Sequence, residues 1–459
     1  MEDKINTNSA AIPMMDLIWE LYGFNRTIVS ADNRKLLERL SEFLDFKIHE
    51  YASGTDHQTW PVPPQWDVNE AYLSDGEKVI ASYDEHPLFL VPYSKSFDGW
   101  VTKDELLGHI RAGPNRPNDF IYDHRIATDH QRRLKDWGLS LPYNRVKALR
   151  KGKYYVKIDV SVSEGAALIG EYRLQGQEKD TFALLSHTCH PGQANDGLAG
   201  VVVGMEIMRR LSSRAGQNRF TYQLLAMPET FGSAYYLANN VSTFRDYIGA
   251  LFLETPGAGT VLTRNLSRVG NLYIDAVLES VVTKIKNVPQ NCLPFHRGLG
   301  NDELNFDWPG VGVPGLSLYW DGYDEYHTSA DSPDLIEHEK LETIINVVID
   351  LIDVLENDYV PTLTQEIPVY QSRYDLYIDA FKNRDSYLNA TDVLFAIDGN
   401  KSLFEITYGK GISFWPMQEY LERFYRMGFI EKKPTGRTQF TRRQDERIVA
   451  HDAPRGEIR

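Results

Sequence analysis

From Tyr154 onward, runs typical of buried strands alternate with runs typical of helices. Residues 181–186, 219–227 and 248–254 have the strand pattern, and residues 197–211 have the helical one. Such alternation implies a largely parallel sheet with helices on both faces. In sheets of this kind, ligands bind at the C-terminal ends of the strands. The sequence therefore predicts an α/β fold, and it also predicts the sheet edge at which a functional site should lie.

The part of the chain before Tyr154 predicts two further regions. Residues 14–44 carry apolar side chains at helical spacing and predict two amphipathic helices. A proline-rich break at residues 59–64 is followed by short β-like runs at 78–83 and 88–91. We therefore expect a small β-rich insertion over residues 61–117. Residues 154–162 and 166–174 read as a hairpin.

A separate module is predicted beyond Pro361. Residues 390–397, 403–407 and 414–427 read as three short helices, followed by a turn into a β-like stretch. This order is the pattern of a winged helix. We thus expect four regions: an N-terminal part of the main α/β domain (1–60), the insertion (61–117), the rest of the main domain (118–362) and a C-terminal winged helix (363–459).

Composition narrows the class of protein. A formal charge of −15 argues against a protein devoted to nucleic acid, because most of its surface would repel phosphate. The chain contains 2 cysteines, which makes a disulfide framework unexpected and fits a reducing cytoplasm. No run is long and apolar enough to span a membrane, and the N-terminus lacks a signal-peptide pattern. We expect a cytoplasmic protein without a membrane partner.

Acidic and imidazole side chains cluster where the predicted strands end. The first cluster contains His187, His190 and Asp196, and the others contain Glu229, Glu254 and His327 (one each). Imidazole nitrogens and carboxylate oxygens suit Zn²⁺, and a pair of zinc ions needs a bridging carboxylate. Asp196 is the candidate bridge. Each residue alone has an ordinary explanation, since an Asp at a helix start is commonly an N-cap.

The order of these motifs resembles the zinc aminopeptidase and carboxypeptidase clan. Within that clan the chain is most similar to bacterial proteins with an aminopeptidase-like domain, and the resemblance covers nearly the whole chain. It implies an inserted β domain, a C-terminal winged helix and an association with polysaccharide biosynthesis. It also assigns metal-ligand roles by position: His187 as the first zinc ligand, Asp196 as the bridge, Glu254 as the later carboxylate, His327 as the final histidine.

Four departures from the clan pattern concern the metal site. Cys189 stands where an Asp normally orients the first histidine, and Glu254 replaces an Asp. His190 has no counterpart, so it is either a compensating ligand or a residue that bonds within its loop. Pro228 replaces one of two glutamates, which leaves Glu229 as either the general base or a metal ligand. Cys189 is either a third ligand or a small buried residue, and the site holds one zinc or two.

Residues near the final histidine are candidates for substrate contact. Asp302 lies in a stretch that resembles a motif supporting the site, and Tyr323 and Tyr326 precede His327. We assign these three to the substrate-binding region. Tyr319 and Trp320 form part of the same aromatic wall or belong to the core.

The resulting prediction is a zinc-dependent hydrolase of the aminopeptidase type that cleaves an amide bond with metal-activated water. Its substrate would be a peptide or a small amide. One alternative is a catalytically degraded metal-binding or regulatory protein that uses the winged helix to contact protein, a second copy or, less in keeping with the charge, DNA. Another is an amidohydrolase or deacylase that acts on a polysaccharide precursor.

Overall fold

The computed structural model describes residues 11–123 and 135–444. Helices occupy much of this range, and most have one apolar face that packs inward. The described helices are α1 Met14–Leu21, α2 Ala31–Ser41, α3 Lys103–His109, α4 Tyr143–Ala148, α5 Ala199–Ser212, α6 Phe231–Asn239, α7 Tyr273–Val282, α8 Asp302–Phe306, α9 His338–Asn357, α10 Arg384–Ala396, α11 Leu403–Gly409, α12 Phe414–Arg426 and α13 Arg437–Phe440.

Strands fill much of the remainder. The described strands are β1 Lys47–Ala52, β2 Asp56–His57, β3 Trp60–Pro61, β4 Gln65–Ser74, β5 Val79–Ser82, β6 Phe97–Thr102, β7 Ile110–Arg111, β8 Leu139–Ser140, β9 Lys153–Ser163, β10 Ala166–Leu174, β11 Thr181–His187, β12 Thr221–Met227, β13 Tyr247–Leu253, β14 Val261–Asn265, β15 Gln290–Leu293, β16 Gly315–Asp321, β17 Tyr359–Leu363 and β18 Ile430–Pro434.

The described chain divides into two units. The first contains Met1–Arg268 and Lys286–Ile349, and the second contains Val269–Ile285 and Asp350–Arg459, each as far as it is described. The four predicted domain boundaries stay predictions. Among the described residues, no helix combines the length and the apolar character that a membrane crossing requires.

An eight-stranded sheet forms the centre of the first unit, in the order β1-β10-β12-β11-β13-β16-β14-β15. The middle strands β12, β11, β13 and β16 are parallel to one another, and antiparallel pairs flank them on both sides. Strands β11, β12 and β13 are buried along their whole length, as expected for parallel strands covered on both faces. The predicted α/β class with a mixed, mostly parallel central sheet is confirmed.

Helix α5 packs closely against this sheet because it presents a glycine, which has no side chain, to the strands. A Cβ atom at Gly200 would lie 2.3 Å from the backbone oxygen of Leu253, so only glycine allows this approach. The opposite sheet face contributes Leu185, Leu225 and Phe252 to a large core. Burial on both faces fixes the register of the strands, and therefore fixes where each strand ends.

The β-rich region contains a four-stranded sheet in the order β5-β4-β9-β6. Its strand β9 pairs with β4 and β6, so the predicted hairpin between residues 154–162 and 166–174 is wrong. Both runs are strands. The side chains of Tyr154, Val156 and Ile158 lie on one face of β9 and are buried in the core, and β9 pairs with β4. The sequence pattern identified the strands without identifying their partners. The sheet thus reaches beyond the predicted 61–117 segment.

The strand predicted at residues 88–91 is also wrong. Pro87–Phe89 forms a 3₁₀ turn, and the side chain of His86 accepts a hydrogen bond from the backbone N–H of Leu88. Proline at the first position of such a turn has the required φ angle already fixed, which favours the turn over a strand.

The second unit contains the three predicted short helices, here α10, α11 and α12, and then strand β18. This strand pairs antiparallel with β17. Phe414, Met417, Tyr420, Leu421 and Phe424 form the buried stripe of α12. The winged-helix assignment stays a prediction. The end of the predicted 363–459 module, from residue 445 onward, lies outside the described residues.

Candidate metal centre

Neighbouring parallel strands deliver three of the predicted side chains to one edge of the sheet. His187 is the last residue of β11, Glu254 follows β13, and Glu229 lies two positions after β12. Since β12, β11 and β13 are adjacent and parallel, their C-terminal ends meet at the same edge. The structure brings all three residues together there with Asp196, His190 and His327.

Asp196 lies at the centre of the cluster, just before α5. Its Oδ1 is 3.0 Å from Nε2 of His187, and its Oδ2 is 2.9 Å from Nε2 of His327. The next residue, Gly197, has φ +113°, a conformation that L side chains rarely adopt. This glycine lets the chain turn sharply into the helix while Asp196 points at the strand ends. The two oxygens of Asp196 therefore face two different groups of side chains.

The first ligand group consists of His187, Asp196 and Glu254, all buried. Oε1 of Glu254 lies 3.3 Å from Nε2 of His187, and its Oε2 accepts a hydrogen bond from Nδ2 of Asn301. Although burial opposes it, the pKa of His187 is held well above its usual value by Glu254 and Asp196. Imidazole and carboxylate atoms of this group lie close enough to hold one metal ion.

The second ligand group consists of His190, Asp196 and His327. Nε2 of His190 is 4.0 Å from Oδ2 of Asp196. Burial lowers the pKa of His190 well below its usual value, and the neighbouring His187 and His327 lower it further. A neutral imidazole is the form that binds a metal ion. Asp196 thus belongs to both groups, as a bridging carboxylate must.

Glu229 lies beside the second group and in none of the candidate ligand groups that the described residues form. Its Oε2 is 3.2 Å from Nε2 of His190, and 28% of its side chain is exposed. Burial of the carboxyl raises the pKa of Glu229 to about 8, with Asp196, Glu254 and Asp302 contributing in the same direction. The structure places Glu229 beside the second group, and the choice between general base and metal ligand stays a prediction.

Cys189 contacts both His190 and the Glu229 turn. Its Sγ is 3.2 Å from Nδ1 of His190 and 3.9 Å from Nδ1 of His187, and it accepts a hydrogen bond from the backbone N–H of Glu229 at 3.1 Å. Cys189 is buried, which raises the pKa of its thiol. The donor atoms of His187, Cys189 and His190 also lie close enough together to hold a metal ion, so the alternatives for Cys189 and for His190 both stay predictions.

Strained backbone surrounds the same cluster. His190, Thr230, Thr255 and His327 all have positive φ angles, of 88°, 59°, 28° and 57°. Such conformations cost on the order of 1–3 kcal/mol each and persist only where the surrounding structure holds them. Their concentration here points to a site whose geometry is enforced by the rest of the fold.

Two supporting residues enforce that geometry, and sequence reasoning gave neither of them this role. Asp331 accepts the backbone N–H of Asn195 at 2.7 Å and of Asp196 at 3.0 Å. The buried Arg26 donates to the backbone oxygens of Thr188 and Gln193. No sequence signal marks Arg26, because it is a single cation between two predicted helices. Asp331 could have been found from its place in the motif that contains His327.

Asp302, predicted near the substrate, has 0% exposure and accepts the backbone N–H of Thr230 at 2.9 Å. It therefore supports the turn that carries Glu229. Tyr326 stacks on His327 with ring centroids 3.9 Å apart, and Tyr323 packs edge-on against Tyr326. Tyr319 and Trp320 are buried, so they belong to the core and not to a substrate wall.

Burial is the main influence on the pKa values of most carboxyl groups in the site. Burial raises the pKa of Asp302 to about 6 and that of Asp331 to about 7. Burial also raises the pKa values of Glu254 and Glu303. Asp196 is the exception, because His190, His187 and His327 outweigh its burial and hold its pKa well below the usual value.

Known proteins share this fold. A protein of Clostridium acetobutylicum is 27% identical over 437 residues, 93% of this chain and 98% of that one, and its name describes polysaccharide biosynthesis and an aminopeptidase-like domain. A crystal structure described as a peptidase from the same organism has a TM-score of 0.81 at 25% identity, covering 91% of this chain and 96% of that one.

A zinc aminopeptidase from Bacillus subtilis has a TM-score of 0.51 at 14% identity, covering 75% of this chain and 95% of that one. At this identity the likeness establishes the fold alone. It agrees with the aminopeptidase-like architecture that the motif order implied, including the mostly parallel sheet whose edge carries the cluster.

The model of one family, described as a domain of unknown function and designated DUF4910, matches residues 15–358. These residues include all of the central sheet's strands and every member of both ligand groups. The chain therefore belongs to the DUF4910 family.

Proposed function

We propose that this protein is a hydrolase that uses two zinc ions to cleave an amide bond, as an aminopeptidase does. The observation that carries the proposal is Asp196, whose two carboxylate oxygens face two separate groups of buried ligand atoms. A third carboxylate, Glu229, lies next to the second group without being part of it. This is the arrangement that a two-metal hydrolase requires.

The chemistry of the donor atoms fits divalent zinc. Both groups offer only imidazole nitrogens and carboxylate oxygens, which are common zinc ligands. The buried carboxyl groups around them have raised pKa values because burial disfavours their charged forms. Two cations would compensate for that charge. His187, Asp196 and Glu254 would hold one ion, and Asp196, His190 and His327 would hold the other.

When bound, zinc lowers the pKa of water to about 7 and polarises a carbonyl group. Glu229 accepts a proton from the attacking water and passes it to the leaving nitrogen, a role worth about 10²–10⁴-fold in rate. Asp302 holds the turn that carries Glu229. The hydroxyl of Tyr323 is buried and has no hydrogen-bond partner among the described residues, so it is available to a bound substrate.

One experiment tests this function directly. Purified protein is stripped with a chelator, reloaded with zinc or cobalt, and assayed with aminoacyl anilides. We expect hydrolysis only after reloading. Protein that binds fewer than two zinc ions per chain after incubation with excess metal would contradict the proposal.

A second candidate substrate is an acylated sugar. The name of the Clostridium acetobutylicum relative refers to polysaccharide biosynthesis, which favours an amidohydrolase or deacylase that acts on a polysaccharide precursor. Assaying N-acylated amino sugars beside the aminoacyl anilides separates the two substrates. Faster turnover of the amino sugars would favour this candidate.

The regulatory alternative has less support, because each of the two ligand groups brings three donor side chains together. We retain a cytoplasmic location and a protein-contact role for the C-terminal module as proposals. Salt-dependent binding of the purified protein to duplex DNA would instead assign that module to nucleic acid.

A further inference from the structure

Cys189 connects two parts of the candidate site that come from different strand ends. It lies in the loop after β11, two residues beyond His187, yet its sulfur accepts the backbone N–H of Glu229 from the turn after β12. The same sulfur is 3.2 Å from Nδ1 of His190. One buried atom therefore contacts both a proposed metal ligand and the residue that carries the proposed base.

The contacts of Cys189 differ from those expected at its sequence position. In the clan pattern, the residue two positions after the first histidine orients that histidine. Here the sulfur is 3.9 Å from Nδ1 of His187 but 3.2 Å from Nδ1 of His190. Its shorter contact is with the histidine that the clan pattern lacks. The two departures, Cys189 and His190, thus occur together in space.

Metal chemistry explains why such a contact matters. A histidine that binds metal through Nε2 carries its proton on Nδ1, and an acceptor at Nδ1 fixes the orientation of the ring. A cysteine sulfur is a weak acceptor, and it is small enough to occupy this buried position. Next to Cys189, Tyr122 contacts the ring of His190 edge-on at 5.0 Å, so the ring is confined from a second direction.

We propose that Cys189 is a positioning residue that orients His190 for the second metal ion and places Glu229 beside it. This inference rests on the proposed two-zinc function. Cys189 is not itself a ligand in this account. Its removal should weaken the second ion and leave the first, whose ligands His187 and Glu254 contact each other directly.

The loop around Cys189 should keep its path in variants. Arg26 donates hydrogen bonds to the backbone oxygens of Thr188, Cys189 and Gln193, and none of these bonds involves the cysteine side chain. Cys292 is exposed and lies outside both ligand groups, so Cys292→Ser is the matched control.

The test compares wild type, Cys189→Ala, Cys189→Ser and Cys292→Ser as full-length proteins. Zinc affinities are measured by competition with a chromogenic chelator, and cobalt-loaded protein is examined by absorption spectroscopy. We expect Cys189→Ala to bind the second zinc about 10–100-fold more weakly, the usual cost of losing an outer partner of a ligand. Cys189→Ser, which keeps an acceptor, should lie between Cys189→Ala and wild type. Binding of the first zinc should not change.

Two results would overturn the inference while leaving the two-zinc function intact. One is a Cys189→Ala variant that binds both zinc ions as wild type does. The other is a cobalt–thiolate absorption band in wild type that disappears in Cys189→Ala, which would make Cys189 a ligand. If wild-type protein binds fewer than two zinc ions, the proposed function itself fails. Thermal melting of Cys189→Ser identifies any general loss of folding.

Discussion

The two ligand groups of the site share Asp196 but are built differently. In the first, His187 and Glu254 stand at the ends of adjacent parallel strands, β11 and β13. In the second, His190 and His327 lie in loops and both have positive φ angles. The first group follows from sheet geometry, whereas the second depends on contacts that hold strained loops in place.

The two groups also differ in the pKa values of their histidines and in the carboxylates that lie near them. The pKa of His187 is raised well above its usual value, while burial lowers that of His190, three residues away, well below it. His187 has two close carboxylates, Glu254 and Asp196. His190 is 3.2 Å from Glu229, whose pKa is itself raised by burial to about 8. Because the first group offers two carboxylates and the second offers one, we expect the first group to bind its ion more tightly than the second.

Removing the shared residue should have the largest effect. Asp196→Asn takes away the charge that serves both groups, so we expect both zinc sites to be lost. Activity should fall by more than the ~10²–10⁴-fold that a general base contributes. Zinc equivalents per chain, measured by atomic emission after dialysis, provide the check. Retention of two equivalents would show that Asp196 is not the bridge.

Glu229→Gln should separate catalysis from metal binding. The variant keeps the shape of the side chain but cannot accept a proton, so kcat should fall about 10²–10⁴-fold. Two zinc equivalents should remain, because Glu229 lies outside both groups. If the variant loses one zinc, Glu229 is a ligand and the second group has been assigned wrongly.

His190→Ala and His187→Ala compare the groups directly. We expect His190→Ala to keep one tightly bound zinc, held by His187, Asp196 and Glu254. The affinity of the second ion should fall by at least the ~10–100-fold typical of losing a group that only orients a ligand. His187→Ala should weaken the first ion instead. Isothermal titration with zinc resolves these cases, and equal loss of both ions in both variants would mean that the groups do not act separately.

Asp358 tests whether a raised carboxyl pKa alone marks a metal site. It is buried in the second unit, accepts hydrogen bonds from Tyr273 and Phe404, and burial raises its pKa to about 6. The folded state therefore binds more protons than the unfolded state between about pH 4 and 6. Stability from this group is present at low pH and is lost as pH rises through this window.

The size of that loss is about 2–3 kcal/mol in the free energy of unfolding. Asp358→Asn should remove this pH dependence without changing zinc content, since Asp358 belongs to no described ligand group. Chemical denaturation at several pH values, with metal analysis in parallel, measures both. Zinc loss in this variant would weaken the distinction between the two kinds of buried carboxyl group.

The central sheet and the closeness of His187 and Glu254 at its edge could be predicted because both follow from strand periodicity, whereas the ligand roles come from the resemblance to the zinc peptidase clan. Strand ends are fixed by buried apolar runs, so the sequence pattern alone places His187 and Glu254 at one edge of the sheet. The candidate bridge, Asp196, is suggested by its position at a helix start and by that same resemblance. Strand periodicity and the start of a helix can both be recognised within a short stretch of sequence, without knowing the distant contacts.

Other features depend on contacts between distant residues and had no local signal. Arg26 bonds to carbonyl groups more than 160 positions away in the sequence. The partner of strand β9 and the sulfur contact to Glu229 are of the same kind. The closeness of His190 to His327 likewise has no local signal, and the choice between ligand and loop residue for His190 stays a prediction.

The most direct test is a crystal structure of the zinc-loaded protein with anomalous data at the zinc absorption edge. We predict two anomalous peaks beside Asp196, one among His187 and Glu254 and the other among His190 and His327, with Glu229 contacting neither ion directly. A single peak, or a second zinc held by Glu229 in place of His190, would contradict the account.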